Sequence, residues 1–250
     1  MKQSSARVLS NGEVLPGTYL MWLESPEMAE QARPGQFVMV WCGEETVLRR
    51  PLSFHRVGSG RFALLFRVIG LGTRWLAGRR MGDALDIIGP LGNGFRLSPE
   101  SRRILLVAGG MGIAPLCFLG EAAAEQGRHV TLLCGTANGN RYSVPTCLKE
   151  VAATEDGSIG HKGMVTDLIA HYIGGVDQVF ACGPPAMYRA MAVMPCLEGV
   201  LVQVSLETRM GCGRGVCYAC TVKTRDGVKQ VCTDGPVFGL DEVVWREFSD

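Results

Sequence analysis

Four of the ten cysteines lie within 21 residues near the end of the chain, and their spacing restricts what this segment can form. The order is Cys212-x4-Cys217-x2-Cys220, and Cys232 follows after eleven further residues. Glycines beside the first three cysteines let the loop adopt positive φ and bring backbone N–H groups toward a metal centre. These glycines are Gly211, Gly213 and Gly215. This order is the plant-type spacing of a [2Fe–2S] cluster, so the four thiolates are predicted to be its ligands.

Two other interpretations of these cysteines remain open. A structural zinc site more often has two CxxC or CxxH pairs, whereas this segment has one pair and two single cysteines. Four uncoordinated thiols among glycines would pack poorly in a core, so the cluster is the favoured interpretation. The other six cysteines are scattered, and we interpret them as small buried hydrophobic residues. They are Cys42, Cys117, Cys134, Cys147, Cys182 and Cys196.

The composition argues against several classes of protein. With 47% hydrophobic and 20% charged residues, the chain of 250 residues can build well-packed cores and is not disordered. A formal net charge of +1 gives no electrostatic basis for binding nucleic acid or an anionic membrane surface. The first residues lack the apolar stretch of a signal peptide, and the apolar segment 104–120 is too short and too rich in glycine for a membrane span. We therefore expect a soluble, cytoplasmic protein whose cysteines are thiols or metal ligands rather than disulfides.

The pattern of apolar runs divides the chain into three parts. Residues 1–98 contain short apolar runs bounded by glycine, proline or charged clusters, which predicts a small β-barrel. Residues 99–205 alternate apolar strands with helical segments, which predicts a doubly wound parallel α/β sheet. The predicted strands of this part are 104–108, 130–134, 178–182 and 200–206, and its predicted helices are 114–126, 165–172 and 187–194. Residues 206–250 combine the cysteine loop with an Asp-Gly hairpin, which predicts a small third domain.

Four short motifs lie where strands are expected to end or helices to begin. Arg50-Pro51-Leu52-Ser53 ends a strand of the barrel, and Gly70-Leu71-Gly72-Thr73 opens a helix whose N–H groups can bind a pyrophosphate. A strand is joined to a helix by Gly109-Gly110-Met111-Gly112. A later strand is followed by Cys182-Gly183-Pro184-Pro185-Ala186-Met187, at the sheet edge where α/β proteins bind ligands. Each motif alone is weak, because Arg-Pro turns, capped helices and incomplete GxGxxG patterns are common.

Together these motifs resemble the ferredoxin–NADP reductase superfamily, in which an FAD-binding barrel precedes a nicotinamide-binding domain. The segment from Ser205 to Cys220, with Cys232-Thr233-Asp234-Gly235, is similar to the electron-transfer subunits of class 1B dihydroorotate dehydrogenases. The resemblance covers essentially the whole chain. It implies an NAD-linked flavin and iron–sulfur oxidoreductase subunit of pyrimidine biosynthesis that uses FAD, NAD(H) and a [2Fe–2S] cluster.

The resemblance also implies roles for individual residues. Around the FAD, Arg50 would contact phosphate and Ser53 would lie near the flavin ring. The other implied FAD contacts are Pro51, Leu52, Leu65, Phe66, Arg67, Gly72 and Thr73. The residues implied to frame NAD(H) are Gly110, Met111, Gly112, Cys182, Gly183, Pro184 and Met187. Many superfamily members have an aromatic residue before the serine, whereas this chain has Leu52, so the residue that stacks on the flavin is not identified.

No group suited to remove a proton from dihydroorotate is recognisable, since the four histidines are scattered and form no triad. The resemblance therefore implies a partner, an FMN-containing catalytic subunit of dihydroorotate dehydrogenase, in a heterotetramer with two copies of each chain. The alternatives are the small subunit of an NAD(P)H:ferredoxin oxidoreductase and a zinc-stabilised nucleotide-binding regulatory module. A 2′-phosphate would need basic residues after the strand 130–134, and the single Arg141 found there favours NADH over NADPH.

Overall fold

The computed structural model describes residues 2–248, and its N-terminal part is a closed antiparallel barrel. The barrel strands are β1 (Lys2–Leu15), β2 (Thr18–Glu24), β3 (Phe37–Val40), β4 (Arg50–Gly58), β5 (Arg61–Arg67) and β6 (Ala84–Leu91). Two short helices, α1 (Pro26–Gln31) and α2 (Leu71–Ala77), lie between these strands in the chain. The strand order around the barrel is β1-β2-β5-β4-β3-β6. The predicted barrel is therefore confirmed.

Two barrel strands are apolar on both faces because each faces two different cores. On β3, Val38 and Val40 point into the barrel, while Phe37 and Met39 point outward into a core shared with the rest of the chain. On β5, Leu64 faces the barrel and Leu65 packs outward against the second domain. Since successive side chains of a strand alternate between its faces, these continuous apolar runs indicate contact with other domains.

The second part is a sheet with helices packed against it. Its strands are β7 (Arg103–Gly109), β8 (His129–Thr136), β9 (Lys149–Thr154), β10 (His161–Lys162), β11 (Gln178–Cys182) and β12 (Leu201–Ser205), and its helices are α3 (Ile113–Glu125), α4 (Val165–Tyr172) and α5 (Pro185–Met191). Short 3-10 turns span Gly110–Gly112 and Pro195–Leu197. From β7 the chain moves to β8, β9 and β10 on one side and returns to β11 and β12 on the other. This reversal creates a crevice between the carboxyl ends of β7 and β11, the usual ligand site of such folds.

The third part shares structure with the second. Its hairpin pairs β13 (Thr221–Thr224) with β14 (Gly227–Gln230), and β15 (Val237–Gly239) adds to the large sheet, antiparallel to β12. Trp245 packs on Tyr188 of α5, with ring centroids 5.1 Å apart. The predicted fold class is confirmed. The domain boundaries 1–98, 99–205 and 206–250 stay a prediction. One strand of the last segment, β15, belongs to the sheet of the second part.

The barrel and the α/β domain are joined by a buried polar contact. His55 on β4 is fully buried, and its ring nitrogens lie 2.9 Å from the carbonyl oxygen of Ala114 and 3.0 Å from the hydroxyl of Tyr142. Burial lowers the pKa of His55 from 6.5 to about 4, so its imidazole is neutral at neutral pH. Beside it, the guanidinium of Arg56 forms an ion pair with Glu121 of α3. The two domains are therefore fixed against each other.

Within residues 2–248, none of the helices combines the length and apolar character needed to cross a membrane.

The six scattered cysteines are mostly buried, as predicted, but Cys147 is exposed and Cys196 is half-buried. The prediction is wrong for Cys147 because it lies in the irregular segment between β8 and β9, outside the apolar cores.

Candidate functional site

The crevice between β7 and β11 is formed by two of the predicted motifs in direct contact. A side chain at Gly112 would place its Cβ 1.8 Å from the carbonyl oxygen of Cys182, and one at Gly109 would come within 2.7 Å of Pro184 Cδ. Real Cβ atoms do not approach other heavy atoms this closely, because packed interiors leave no such overlap. Glycine is therefore required at both positions for the two motifs to meet.

A cavity of about 320 Å³ opens beside this crevice, between the barrel and the sheet. Gly110 and Met111 line it from the turn after β7, and Leu65 and Arg67 line it from β5. The remaining wall comes from the turn between β1 and β2, from the end of β8 and the loop that follows it, and from Glu150 of β9. A cavity of this size at a domain junction is typical of a small-molecule or cofactor site.

Two residues that the motifs did not single out complete the crevice. The Tyr188 hydroxyl accepts a hydrogen bond from the Gly183 N–H at 2.8 Å and donates one to the Ser205 carbonyl at 2.6 Å, which fixes the turn after β11. The Cys182 thiol donates to Glu207 Oε1 across 3.9 Å. Although Glu207 is accessible to solvent, the surrounding protein desolvates its carboxyl group and raises its pKa. The Tyr188–Ser205 and Cys182–Glu207 hydrogen bonds join residues that are 17 and 25 positions apart in the sequence.

The two motifs assigned to FAD are adjacent at one end of the barrel. A Cβ at Gly72 would lie 2.9 Å from Arg50 Nε, so the arginine passes directly over this glycine. The Thr73 hydroxyl oxygen accepts hydrogen bonds from the N–H groups of Ile69 at 2.9 Å and Gly70 at 3.2 Å, which fixes the start of α2. A guanidinium, the exposed Gly70 and an ordered helix start are thus brought together, as a pyrophosphate site needs.

The residues of β4 and β5 that were assigned to FAD differ in where their side chains point. Pro51 and Ser53 pair with Met39 and Phe37 of β3, so they share the outward face of the barrel. Leu52 packs against the barrel core. The Phe66 side chain is also inside the barrel, stacked on Tyr19 with centroids 5.9 Å apart, so only its backbone can face a ligand. These FAD assignments stay predictions.

The four clustered cysteines are arranged as two pairs. Burial disfavours a thiolate at Cys212, but the N–H groups of Arg214, Val216 and Cys217 and the Cys217 thiol are directed at its sulfur and lower its pKa from 9.0 to about 6. The Cys220 sulfur accepts a hydrogen bond from the Cys232 N–H at 3.4 Å, and the Cys232 thiol contacts Cys220. N–H groups directed at cysteine sulfur are the environment that a thiolate-bound centre requires.

This pairing also bears on the zinc alternative. Across residues 2–248, no three His, Cys, Asp or Glu side chains converge closely enough to hold a single metal ion. A mononuclear zinc site needs four ligands around one ion. A [2Fe–2S] cluster has two irons and takes two thiolates for each, so two pairs of cysteines suit it. The two pairs of cysteines are therefore compatible with the two irons of a [2Fe–2S] cluster.

The loop that carries the first cysteines packs directly on the barrel. Gly213 has φ of +66°, and a Cβ there would lie 2.6 Å from Met39 Cγ. Met39 is fully buried, in the same core as Cys220 and Cys232, and it is the register partner of Pro51. The cysteine loop is therefore seated on the strand next to the predicted flavin motif.

Comparison with known proteins identifies the family. Residues 207–244 match the model of the iron–sulfur cluster binding domain of dihydroorotate dehydrogenase B. The electron transfer subunit of dihydroorotate dehydrogenase B (NAD(+)) from Caldanaerobacter subterraneus subsp. tengcongensis is 38% identical over 252 residues, covering 96% of this chain and 98% of the relative. That from Desulforamulus reducens is 39% identical over 260 residues, covering 98% and 99%. The chain belongs to the family of dihydroorotate dehydrogenase B electron transfer subunits.

One solved structure supports this family fold over nearly the whole chain. The NADH-dependent reduced ferredoxin–NADP oxidoreductase is 31% identical, with a TM-score of 0.87, and the match covers 97% of this chain and 90% of that one. A ferredoxin NADP⁺ reductase from Neisseria gonorrhoeae, 17% identical with a TM-score of 0.60, shares the fold across 76% of this chain. The predicted resemblance to the reductase superfamily and to this electron transfer subunit family is confirmed.

Three residues of the crevice and the cavity were given no role by the sequence motifs. Glu207 lies in the Leu-Glu-x-Arg-Met segment before Cys212, and that segment was used for the resemblance without giving the glutamate a role. Tyr188 directly follows Met187 of a motif, yet only its hydrogen bonds in the folded chain reveal its function in the turn. Glu150 carries no local signal, because it enters the cavity from a strand that the sequence patterns did not predict.

Proposed function

We propose that this chain passes electrons between NAD(H), FAD and a [2Fe–2S] cluster on behalf of a separate catalytic subunit. The observation that carries the proposal is the contact of the cysteine loop with β3, at Gly213 and Met39. Pro51 and Ser53 share the outward face of the barrel with Met39. A flavin held by this motif and a cluster held by this loop would therefore be near neighbours.

The two groups supply complementary chemistry, since a flavin takes up the two electrons of a hydride whereas a [2Fe–2S] cluster passes them singly. The residues of the chain bind and orient. Arg50, Gly72 and Thr73 would hold the FAD pyrophosphate, and Ser53 would lie beside the flavin ring. The turns at Gly110–Gly112 and Cys182–Pro184 would hold the nicotinamide nucleotide at the crevice between β7 and β11.

The cluster ligands would be Cys212, Cys217, Cys220 and Cys232, two to each iron. The contacts within the folded chain favour Cys212 with Cys217 on one iron and Cys220 with Cys232 on the other. Gly213, Gly215 and Tyr218 adopt positive φ of 66°, 80° and 58°, which turns the loop so that its N–H groups point toward the sulfurs.

The relatives are named electron transfer subunits of dihydroorotate dehydrogenase B, which supports a partner that carries out the dihydroorotate chemistry. We propose that this partner contains FMN and that two copies of each chain assemble. The cysteine loop carries two exposed apolar side chains, Val216 at 73% and Tyr218 at 67% exposure. An apolar surface beside the cluster would suit docking of the partner where electrons leave the chain.

A second candidate function is the small subunit of an NAD(P)H:ferredoxin oxidoreductase. It is favoured by the structural similarity to the NADH-dependent reduced ferredoxin–NADP oxidoreductase over 97% of this chain. The match of residues 207–244 to the dihydroorotate dehydrogenase B domain favours the first candidate. Co-expression with dihydroorotate dehydrogenase catalytic chains distinguishes the two, because only the first predicts a complex that reduces NAD⁺ with dihydroorotate.

The Cys212→Ser variant tests whether NADH oxidation and electron transfer to the partner depend on different parts of the chain. It should keep NADH oxidation with ferricyanide, which accepts electrons from the flavin, and should lose transfer to the partner because the cluster lacks a ligand. The matched control is Cys147→Ser, since Cys147 is exposed and lies outside the loop. Loss of both activities in Cys212→Ser, with both retained in the control, would mean that the four cysteines only stabilise the fold.

A further inference from the structure

An ion pair is part of the cavity wall beside the crevice. Arg141, in the loop after β8, donates a hydrogen bond to Glu150 Oε1 on β9, and both residues line the cavity. Their side chains are only 32% and 18% exposed, so water screens the pair less than it would at the surface. The cation that could have bound a 2′-phosphate is thus already paired with a carboxylate.

The position of the pair matches the ribose end of a bound dinucleotide. In doubly wound domains the phosphates lie at the turn after the first strand, and a residue near the end of the second strand contacts the ribose. Here Gly110 lines the cavity at the first position and Thr136 at the second. The segment 135–146 contains no Asp or Glu, so the acidic group that usually accepts from the ribose hydroxyl is missing from its usual place.

Glu150 supplies a carboxylate to the wall of the same cavity from the neighbouring strand. The register pairs it with Leu132, and its side chain reaches Cys134 and Arg141 near the end of β8. Arg141 uses one oxygen of this carboxylate, and a carboxylate has about four acceptor sites, so it can still accept a hydrogen bond from a ribose hydroxyl.

We propose that Glu150 is the residue that makes the cavity select a nucleotide without a 2′-phosphate. Its charge occupies Arg141 and would repel the phosphate, while its free acceptor sites suit the two ribose hydroxyls. The cavity has one other cation, Arg67, which lies on the barrel side. Without Glu150, Arg141 would face the cavity with no acidic side chain in its wall, and the preference should shift toward the phosphorylated nucleotide. This inference rests on the proposed binding of NAD(H).

The Glu150→Gln variant of the complete chain tests the inference. Glutamine keeps the size of the side chain and an acceptor for Arg141 but removes the charge. Calorimetry with adenosine 5′-monophosphate and adenosine 2′,5′-bisphosphate measures the effect of the 2′-phosphate alone. The ratio of the two affinities should shift toward the bisphosphate by roughly 10- to 100-fold, the size of one gained charge-assisted hydrogen bond. The ratio of kcat/KM for NADH and NADPH should move in the same direction.

Two further variants make the result specific. Glu125→Gln removes a carboxylate of α3 that does not line the cavity, and its ratio should equal that of the unmodified chain. Adding Arg141→Gln to Glu150→Gln should reduce the gain, because the cation that would contact the 2′-phosphate is then missing. Thermal unfolding of each variant verifies that it is folded.

The outcomes separate the inference from the function on which it rests. If the unmodified chain binds the monophosphate and Glu150→Gln leaves the ratio unchanged, Glu150 does not set the preference. A chain that prefers the bisphosphate before any substitution would overturn the inference in the same way. If the unmodified chain binds neither nucleotide, the nicotinamide site itself is refuted, and the inference with it.

Discussion

Replacing Gly213 by alanine perturbs the contact between the cysteine loop and the barrel. Gly213 has φ of +66°, and an alanine in this left-handed region costs about 1–2 kcal/mol. Its Cβ would lie 2.6 Å from Met39 Cγ, and relieving such an overlap in a packed core costs about 1–3 kcal/mol. The variant should therefore lose about 2–5 kcal/mol of stability in this region, enough to move the loop away from β3.

The matched control for this variant is Gly127→Ala. Gly127 has φ of +74°, but a Cβ at this position would have no neighbouring atom within 4 Å, so only the backbone cost of about 1–2 kcal/mol applies. Iron content and denaturant unfolding should be affected in Gly213→Ala well beyond the control, while FAD content stays the same. Shortening the opposing side chain in Gly213→Ala with Met39→Ala should recover part of the iron content. Equal behaviour of Gly213→Ala and Gly127→Ala would refute the packing of the loop on β3.

Two further predictions concern the crevice and the domain contact. In Gly112→Ala the Cβ would lie 1.8 Å from the Cys182 carbonyl oxygen, so NADH affinity should fall at least tenfold. The control is Gly174→Ala, whose Cβ would have no atom within 4 Å and which should bind NADH as the unmodified chain does. Fluorescence titration with NADH measures both affinities, and equal affinities would contradict the contact. Burial lowers the pKa of His55 from 6.5 to about 4. The folded chain therefore favours the neutral ring, and this contribution to the free energy of unfolding is fully present above pH 6.5. The contribution, up to about 3 kcal/mol, is lost as the pH falls toward 4. Denaturant unfolding between pH 4 and 7 should show a shallower pH dependence in His55→Gln, and an unchanged slope would show that His55 does not titrate in this way.

Much of the fold follows from local sequence patterns. The predicted helix 165–172 and strand 178–182 have the observed bounds because an amphipathic repeat and a continuous apolar run were enough to define them. The strand β9 was not predicted, since Lys149 and Glu150 open it with polar residues and only its pairing with β8 makes it a strand. β15 is also a product of tertiary pairing, because its three residues become a strand only beside β12.

The site shows the same division between local and long-range information. The spacing of Cys212, Cys217 and Cys220 within one loop predicts cluster ligands from the sequence alone. The contacts of Glu150 with Arg141 and of Glu207 with Cys182 join residues from different strands and loops that come together only in the folded chain. No local sequence pattern identifies Glu150 or Glu207, because the role of each depends on a contacting residue that only folding brings near.

The central claim is that one chain holds a flavin and a [2Fe–2S] cluster close enough to share electrons. Its most direct test is an anaerobic titration of the purified chain with NADH, followed by visible absorbance and electron paramagnetic resonance, with iron, sulfide and FAD measured on the same sample. We predict one FAD, two irons and two sulfides for each chain, and an NADH-dependent signal of the reduced cluster. A chain with zinc in place of iron, or a cluster that stays oxidised while NADH bleaches the flavin, would contradict the account.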